Sequence, residues 1–430
     1  MAGSRTTEDA SPPVCRSFPL DRSFPSADPS RLTDPATISA VCEATLRQNW
    51  REGAREADGV PFAYTCPSPG HYPWQWYWDS CFTAVAWRHF DPGRSRRELE
   101  SLLAAQRADG FIGHTIFWNT PLTGSRRLTY NVTSPNASMT ASIQPPLLAW
   151  AWRIAVGDPS EVPAIVRPYR WLAEHRDLDG DGLIWIVQPD ESGLDSSTQF
   201  DAIWRNRAHG LAGFVLLVRR NRHLGFDLQR VVAAGGPVCC EVMTNVLYNL
   251  SRLAIGEPSL TPLIVERMYD ESAGLFRPLA RPQPRGEPAV TWASLSPLAL
   301  PDLPEEIGRR LAEHLLDVES FWAPVPPPSV ARNDPTFSID DHGALGLRRY
   351  WRGPTWINAA WLLWLGLVRL GYEEQSAELV SRLAGAIEVE RLREYYNPMT
   401  GQGMGAVDFG WSALIMEMVE PDGRAATSYL

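Results

Sequence analysis

The sequence predicts an all-α protein, a helical barrel whose site is built at one end by loops. Three observations carry that prediction. Helical apolar patterns follow one another from about residue 35 onward. Strand signals are few and do not alternate with helices, which argues against a doubly wound sheet or a TIM barrel. The helices are joined by loops of very unequal length, and those loops hold most of the chemically interesting side chains.

Residues 1–34 are rich in Pro, Ser, Asp and Arg, lack periodicity, and read as a flexible or surface-hugging tail. Residues 35–430 read as one domain. In 99–106, Leu99, Leu102 and Leu103 share a face. Glycines end helical patterns at Gly157 and Gly225. Leu183–Val187 is the best strand signal, and it is short. From 238 to 255 a wide stripe runs from Cys239 through Val242, Val246 and Leu250 to Ala254, closed by Gly256. The stretch 356–370 is apolar nearly all round, as a buried helix is, and Gly371 ends it. The next helix, 373–387, is amphipathic. The long loops are 56–77, 107–140, 177–200, 276–292, 321–350 and 394–408, and no fixed repeat period links the helices.

Composition narrows the chemistry. A chain of 430 residues suits two or three domains or one large barrel. Its 40 basic and 50 acidic residues leave a net charge of −10, with no basic field for nucleic acid. All the basic residues are Arg. Without lysine there is no Schiff base, no P-loop and no kinase lysine. The six cysteines form no C-x-x-C and read as reduced thiols in a cytoplasmic protein. No zinc pattern, apolar h-region or membrane-length apolar run is found, so no metal, cofactor or membrane is expected. The Asn-x-Ser/Thr matches at Asn131 and Asn136 read as chance. Eighteen Trp exceed the 14 Phe and 12 Tyr. Indole faces fill cores, and they also stack on sugar rings.

Four clusters concentrate the candidate residues. In Tyr72–Ser80, Trp76 and Trp78 offer aromatic platforms beside Asp79, which either caps a helix or takes adjacent sugar hydroxyls. Glu191-Ser192-Gly193-Leu194-Asp195 places two carboxylates in one loop, where burial would make one a proton donor. In Tyr350–Asn358, Pro354 opens the buried helix, and the cluster is either a packed junction or a second aromatic wall with Arg352 and Asn358 as polar contacts. In Arg393–Gly405, Glu394 sits beside Tyr395 and Tyr396 at a helix-to-loop transition, as a base held by phenols. The G-x-G-x-G that follows lacks the strand and lysine of a nucleotide loop. Asp177-Leu178-Asp179-Gly180-Asp181-Gly182 resembles half an EF-hand loop. Its twelfth position is Gln188 rather than Glu, so a solvated turn is preferred to a calcium site.

QWYWDSCF (75–82), QPPLLAWA (144–151), ESGLDSS (191–197), YWRGPTWINAAWLL (350–363) and EYYNPMTGQGMG (394–405) occur in one order. Together they resemble the inverting α-glycosidases of glycoside hydrolase family 63, above all the small bacterial mannosylglycerate and glucosylglycerate hydrolases. The resemblance implies an (α/α)6 barrel, with Asp195 as general acid and Glu394 as general base. It also implies that Trp78, Asp79, Gln144, Gly193, Trp351 and Trp356 line the sugar subsite. Such an enzyme needs one neutral and one ionised carboxyl and no cofactor. The implied partner is a small α-glucoside or α-mannoside; a homo-oligomer stays open. One position departs: many relatives carry an aromatic residue where this chain has Asp190. Facing the pocket, that carboxylate would disfavour an anionic aglycone such as glycerate. The rival readings are a non-catalytic sugar-binding protein, and a sugar epimerase or isomerase, which usually wants a histidine pair; His71, His114 and His342 form no obvious one.

Overall fold

In the computed structural model the described residues are 34–120, 122, 124, 130–134, 137–204, 211–284, 286–340 and 350–419. The expected tail therefore lies outside them, except for Asp34, and so does Asn136. Asp34 caps the first helix, Pro35–Asn49, by accepting a hydrogen bond from the Ala36 amide (3.1 Å). The same Asp-Pro device opens Pro92–Ala105, where Asp91 accepts from the Arg94 amide. The all-α expectation holds in outline: helices dominate, and among the described residues the strands form five two-stranded antiparallel sheets.

Six helical segments pack in cyclic order. Tyr77–Trp87 lies against Leu148–Ala155, which lies against Val242–Ala254. The latter meets the 3-10 segment Trp292–Ala299, then comes Ile357–Arg369, then Gly410–Ile415, which returns to Tyr77–Trp87. Behind each member sits a second helix: Pro92–Ala105, Pro163–Arg176, Thr261–Met268, Glu305–Leu316, Glu373–Glu390 and Pro35–Asn49, respectively. One continuous apolar core runs from Ile38 to Met418, with a small satellite around Trp74 and Phe117. Ile357–Arg369 is buried from Ile357 to Leu367, as its all-round apolar sequence requires. Gly371, at φ 78°, ends it; the Tyr372 amide then donates back to the Leu367 carbonyl (2.9 Å).

Three expectations are corrected. Residues 238–240 are not helical: Val238–Cys240 is a strand paired with Leu279–Arg281, and the helix starts at Val242. Glu241 sets that start, because its carboxylate accepts from the Met243 and Thr244 amides. Leu183–Val187 is buried but forms no strand; Ile184 and Ile186 make only isolated bridges, to Asp177 and Cys239 respectively. The third is a hairpin whose turn and second strand fall in the expected loop 56–77. Trp50–Ala54 pairs with Pro61–Thr65, turning at Asp58-Gly59 with Gly59 at φ 73°.

The Asp177–Gly182 turn is held by protein groups. Asp177 accepts from the Gly180 and Gly182 amides at 2.7 and 2.8 Å. Asp179 pairs with Arg267 and Arg281, and Asp181 with Arg267. Arginines thus take up the carboxylates that a cation would need, and the described residues hold no group of three or more metal-ligating side chains.

Candidate active site

A cavity of about 270 Å³ opens where the segments leading into the inner helices converge. Trp76, Trp78 and Asp79 reach it from the start of Tyr77–Trp87, and Gln144 from the segment before Leu148–Ala155. Gly193, Asp195 and Ser196 reach it from the loop after the 3-10 turn Pro189–Ser192, and Glu394 from the strand Arg393–Tyr396. Seven of the ten expected site residues therefore meet in one cavity: Asp195, Glu394, Trp76, Trp78, Asp79, Gln144 and Gly193.

Two backbone devices make the convergence. The Gln144 carboxamide oxygen accepts the Trp78 amide (3.0 Å), one of the orphan donors of a helix N-terminus. Gly193 has φ 70°, and a Cβ there would stand 2.5 Å from the Trp78 indole. Only glycine lets this loop close against Trp78. Ser196, beside the acid candidate, also holds a left-handed φ of 54°, backbone strain of a kind that gathers at functional sites.

The structure separates the two carboxylates of the Glu191–Asp195 loop. Glu191 is fully buried and forms a two-pronged pair with Arg176, both contacts at 2.7 Å. It also accepts the Val187 amide at 2.8 Å, so its oxygens are occupied and it anchors the loop. Asp195 lies on the cavity wall, and no side-chain donor among the described residues reaches it. Burial raises its proton affinity above that of an ordinary carboxyl.

Glu394 is treated in the opposite way. Its strand pairs with Gly403–Val407, and the register shifts between Met404 and Val407. That bulge turns the Ala406 amide onto Glu394 Oε2 (2.8 Å), while the Tyr350 phenol donates to Oε1. Gly405 is required there, because a Cβ would stand 2.6 Å from Oε2. Glu394 is thus on a strand rather than at a helix end. The phenol holding it is Tyr350, itself bonded to the Tyr72 hydroxyl (2.7 Å), and not an immediate neighbour. Tyr396 instead donates to the Arg391 carbonyl, and Tyr395 packs on Trp356. Asp79 is the third carboxyl of the cavity, pushed well up by burial and by Glu394 nearby.

Trp351, Arg352 and Trp356 do not line the cavity. The two indoles are buried and stack on each other, with centroids 3.8 Å apart. They back the wall through Trp78 and Trp411. Arg352 pairs with Asp201 at 2.6 Å. Asn358 is fully buried as well. This cluster is a packed junction more than a wall. Asp190 is buried and is not among the residues that line the cavity, so the condition for repelling an anionic aglycone is not met by this side chain. The wall residues missed from sequence include Tyr72, His114, Tyr350, Phe409 and Trp411. Tyr72 and Tyr350 sat in the aromatic clusters. Phe409 and Trp411 carried no polar signal to set them apart from core. Of the loop histidines, only His114 is on the wall; His71 is exposed, and His342 lies outside the described residues.

The model of the mannosylglycerate hydrolase MGH1-like glycoside hydrolase domain matches residues 72–248 and 257–412. The chain belongs to this family. It is a glycoside hydrolase. A mannosylglycerate hydrolase of Thermus thermophilus is 28% identical, over 82% of this chain and 95% of its own length. A glucosylglycerate hydrolase of Mycolicibacterium hassiacum is 24% identical, over 81% of this chain and 92% of its own. The crystal structure of a family 63 mannosylglycerate hydrolase from Thermus thermophilus, bound to Tris and D-glycerate, superposes with a TM-score of 0.71 at 25% identity. The match covers 89% of this chain and 99% of that one. The neutral trehalase of Saccharomyces cerevisiae, at 16% identity and a TM-score of 0.53, shares the fold.

Proposed function

We propose that the chain is an inverting α-glycosidase acting on a small α-glucoside or α-mannoside, with Asp195 as general acid and Glu394 as general base. The observation that carries this reading is the opposed environment of two carboxyls in one cavity. Asp195 is desolvated and lacks side-chain donors among the described residues, which favours the neutral acid. Glu394 accepts a phenol and a backbone amide, which solvate its carboxylate. In the proposed reaction the Asp195 proton passes to the glycosidic oxygen as that bond breaks. Glu394 takes a proton from the water that attacks the anomeric carbon from the opposite face. Trp76 and Trp78 supply apolar faces for the sugar, and Asp79 and Gln144 supply polar contacts.

We read the cyclic packing of six inner and six outer helical segments as the (α/α)6 barrel, and residues 35–430 as its single domain. Family relatives that act on mannosylglycerate and glucosylglycerate support a small glycoside of that kind as substrate. The five cysteines among the described residues are buried free thiols, which suit a cytoplasmic setting. No helix among the described residues is long and apolar enough to cross a membrane. The test is turnover of a panel containing glucosylglycerate, mannosylglycerate, glucosylglycerol, trehalose, kojibiose and nigerose, by wild type, Asp195→Asn and Glu394→Gln. One member should be hydrolysed by wild type and by neither variant. A variant that keeps most of the wild-type rate would remove that residue from its role.

A further inference from the structure

We propose, resting on the reading of Asp195 as the acid, that Ser196 is a specificity-determining residue whose hydroxyl receives a polar group of the aglycone. The preferred substrates are then α-glycosides of short hydroxylated alcohols or hydroxy acids rather than of plain alkyl alcohols.

Asp195 and Ser196 are the two central residues of one tight turn. The Ser197 amide closes it by donating to the Leu194 carbonyl (3.0 Å). Both flanks are sealed, with Leu194 and Ser197 buried. Between them only Asp195 and Ser196 are half-buried, and both line the cavity. The turn is firmly seated. Ser192 Oγ donates to the Pro189 carbonyl (2.6 Å) and accepts from the Leu194 amide (3.2 Å), and Glu191 is held by Arg176. The apex therefore presents two neighbouring residues to the cavity, the acid and Ser196.

The second central position of this turn, at φ 54°, is one that glycine or asparagine fills at little steric cost. This chain keeps a serine there. The Ser196 hydroxyl makes no hydrogen bond to a described residue and is not among the sealed polar atoms. A strained backbone that holds an unpartnered hydroxyl at a cavity wall is suited to meeting a ligand.

The run of the turn fixes which part of the ligand that is. Before the acid, Gly193 lies against the Trp78 indole, the proposed sugar platform. Asp195 must reach the glycosidic oxygen, which joins sugar to aglycone. Ser196, beyond the acid from Gly193, is thus placed on the side where the aglycone leaves. A hydroxyl both donates and accepts, so it suits a hydroxyl or a carboxylate on the carbon next to that oxygen. A plain alkyl group leaves it unpaired.

The test compares kcat/KM for three substrates of one sugar: the hydrolysed member of the panel, the methyl α-glycoside and the α-glycosyl fluoride. Ser196→Gly should lose about tenfold on the first and stay within about twofold of wild type on the other two, the loss expected for one hydrogen bond. Its unfolding midpoint should be no lower than that of wild type, because glycine relieves the left-handed backbone. Ser196→Ala keeps the backbone strain, removes only the hydroxyl, and should show the same split among substrates. Equal losses on all three substrates, or no loss on any, would overturn the proposal. The two levels separate cleanly. An Asp195→Asn that hydrolyses the O-glycoside at the wild-type rate removes the acid assignment itself. An inactive Asp195→Asn with no substrate split in the Ser196 variants removes only the role of Ser196.

Discussion

The loop that ends in Asp195 and the hairpin that carries Glu394 place one carboxyl each on the same cavity and treat them oppositely. On the loop, Glu191 takes the strongest donors: Arg176 twice, then the Val187 amide. Asp195 is left to burial. On the hairpin, a bulge and a distant tyrosine bring two donors to Glu394 itself. In the proposed reading residue type does not separate the acid from the base, since both are carboxyls. The distribution of donors does, and each distribution is set by local backbone: a left-handed glycine on the loop and a register shift on the hairpin.

The largest effect expected is on catalysis alone. Asp195→Asn and Glu394→Gln should each lower kcat by roughly 10²–10⁴-fold. Thermal unfolding should stay close to wild type, because neither removes a buried ion pair. Glu191→Ala should show the reverse emphasis. It strands Arg176 in the core and should cost about 3–5 kcal/mol of stability, read as a lowered midpoint in urea. Similar unfolding midpoints for Glu191→Ala and Asp195→Asn would erase the distinction between anchor and acid.

Gly193→Ala should cost about 1–3 kcal/mol through its left-handed backbone and push the loop off Trp78. Differential scanning calorimetry and KM would register both. Tyr350→Phe removes one charge-assisted bond to Glu394 and should slow kcat about tenfold, with little change in stability. The pH profile gives the mildest test. Asp195 has its proton affinity raised, so the acid form is present below its pKa and lost above it. Activity should therefore decline on the alkaline side at a pH above the ordinary carboxylate range. A decline already complete near pH 4 would contradict the desolvated acid.

Much of this was legible in the sequence, for reasons that differ by region. Buried helices such as Ile357–Arg369 announce themselves through apolar density, and caps such as Asp34-Pro35 and Asp91-Pro92 through residue type. The hairpins were harder. Gly403–Val407 reads Gly-Met-Gly-Ala-Val, with little strand signal, and its pairing with Arg393–Tyr396 carries a bulge rather than regular alternation. The two carboxyls that reach the cavity, Asp195 and Glu394, were legible because their motifs stand out in the sequence. Their surroundings were not, because Tyr350 reaches Glu394 across 44 residues of chain. Trp351 and Trp356 show the opposite failure. Aromatic density marked the right region, but periodicity does not tell an indole on a wall from one stacked behind it.

The most direct test of the central claim is proton NMR of the first sugar released from a hydrolysed α-glycoside, recorded before mutarotation. Two carboxyls acting as acid and base across one sugar release the β-anomer first. Initial release of the α-anomer would mean that one carboxyl attacks the sugar itself, and would contradict the division of roles between Asp195 and Glu394.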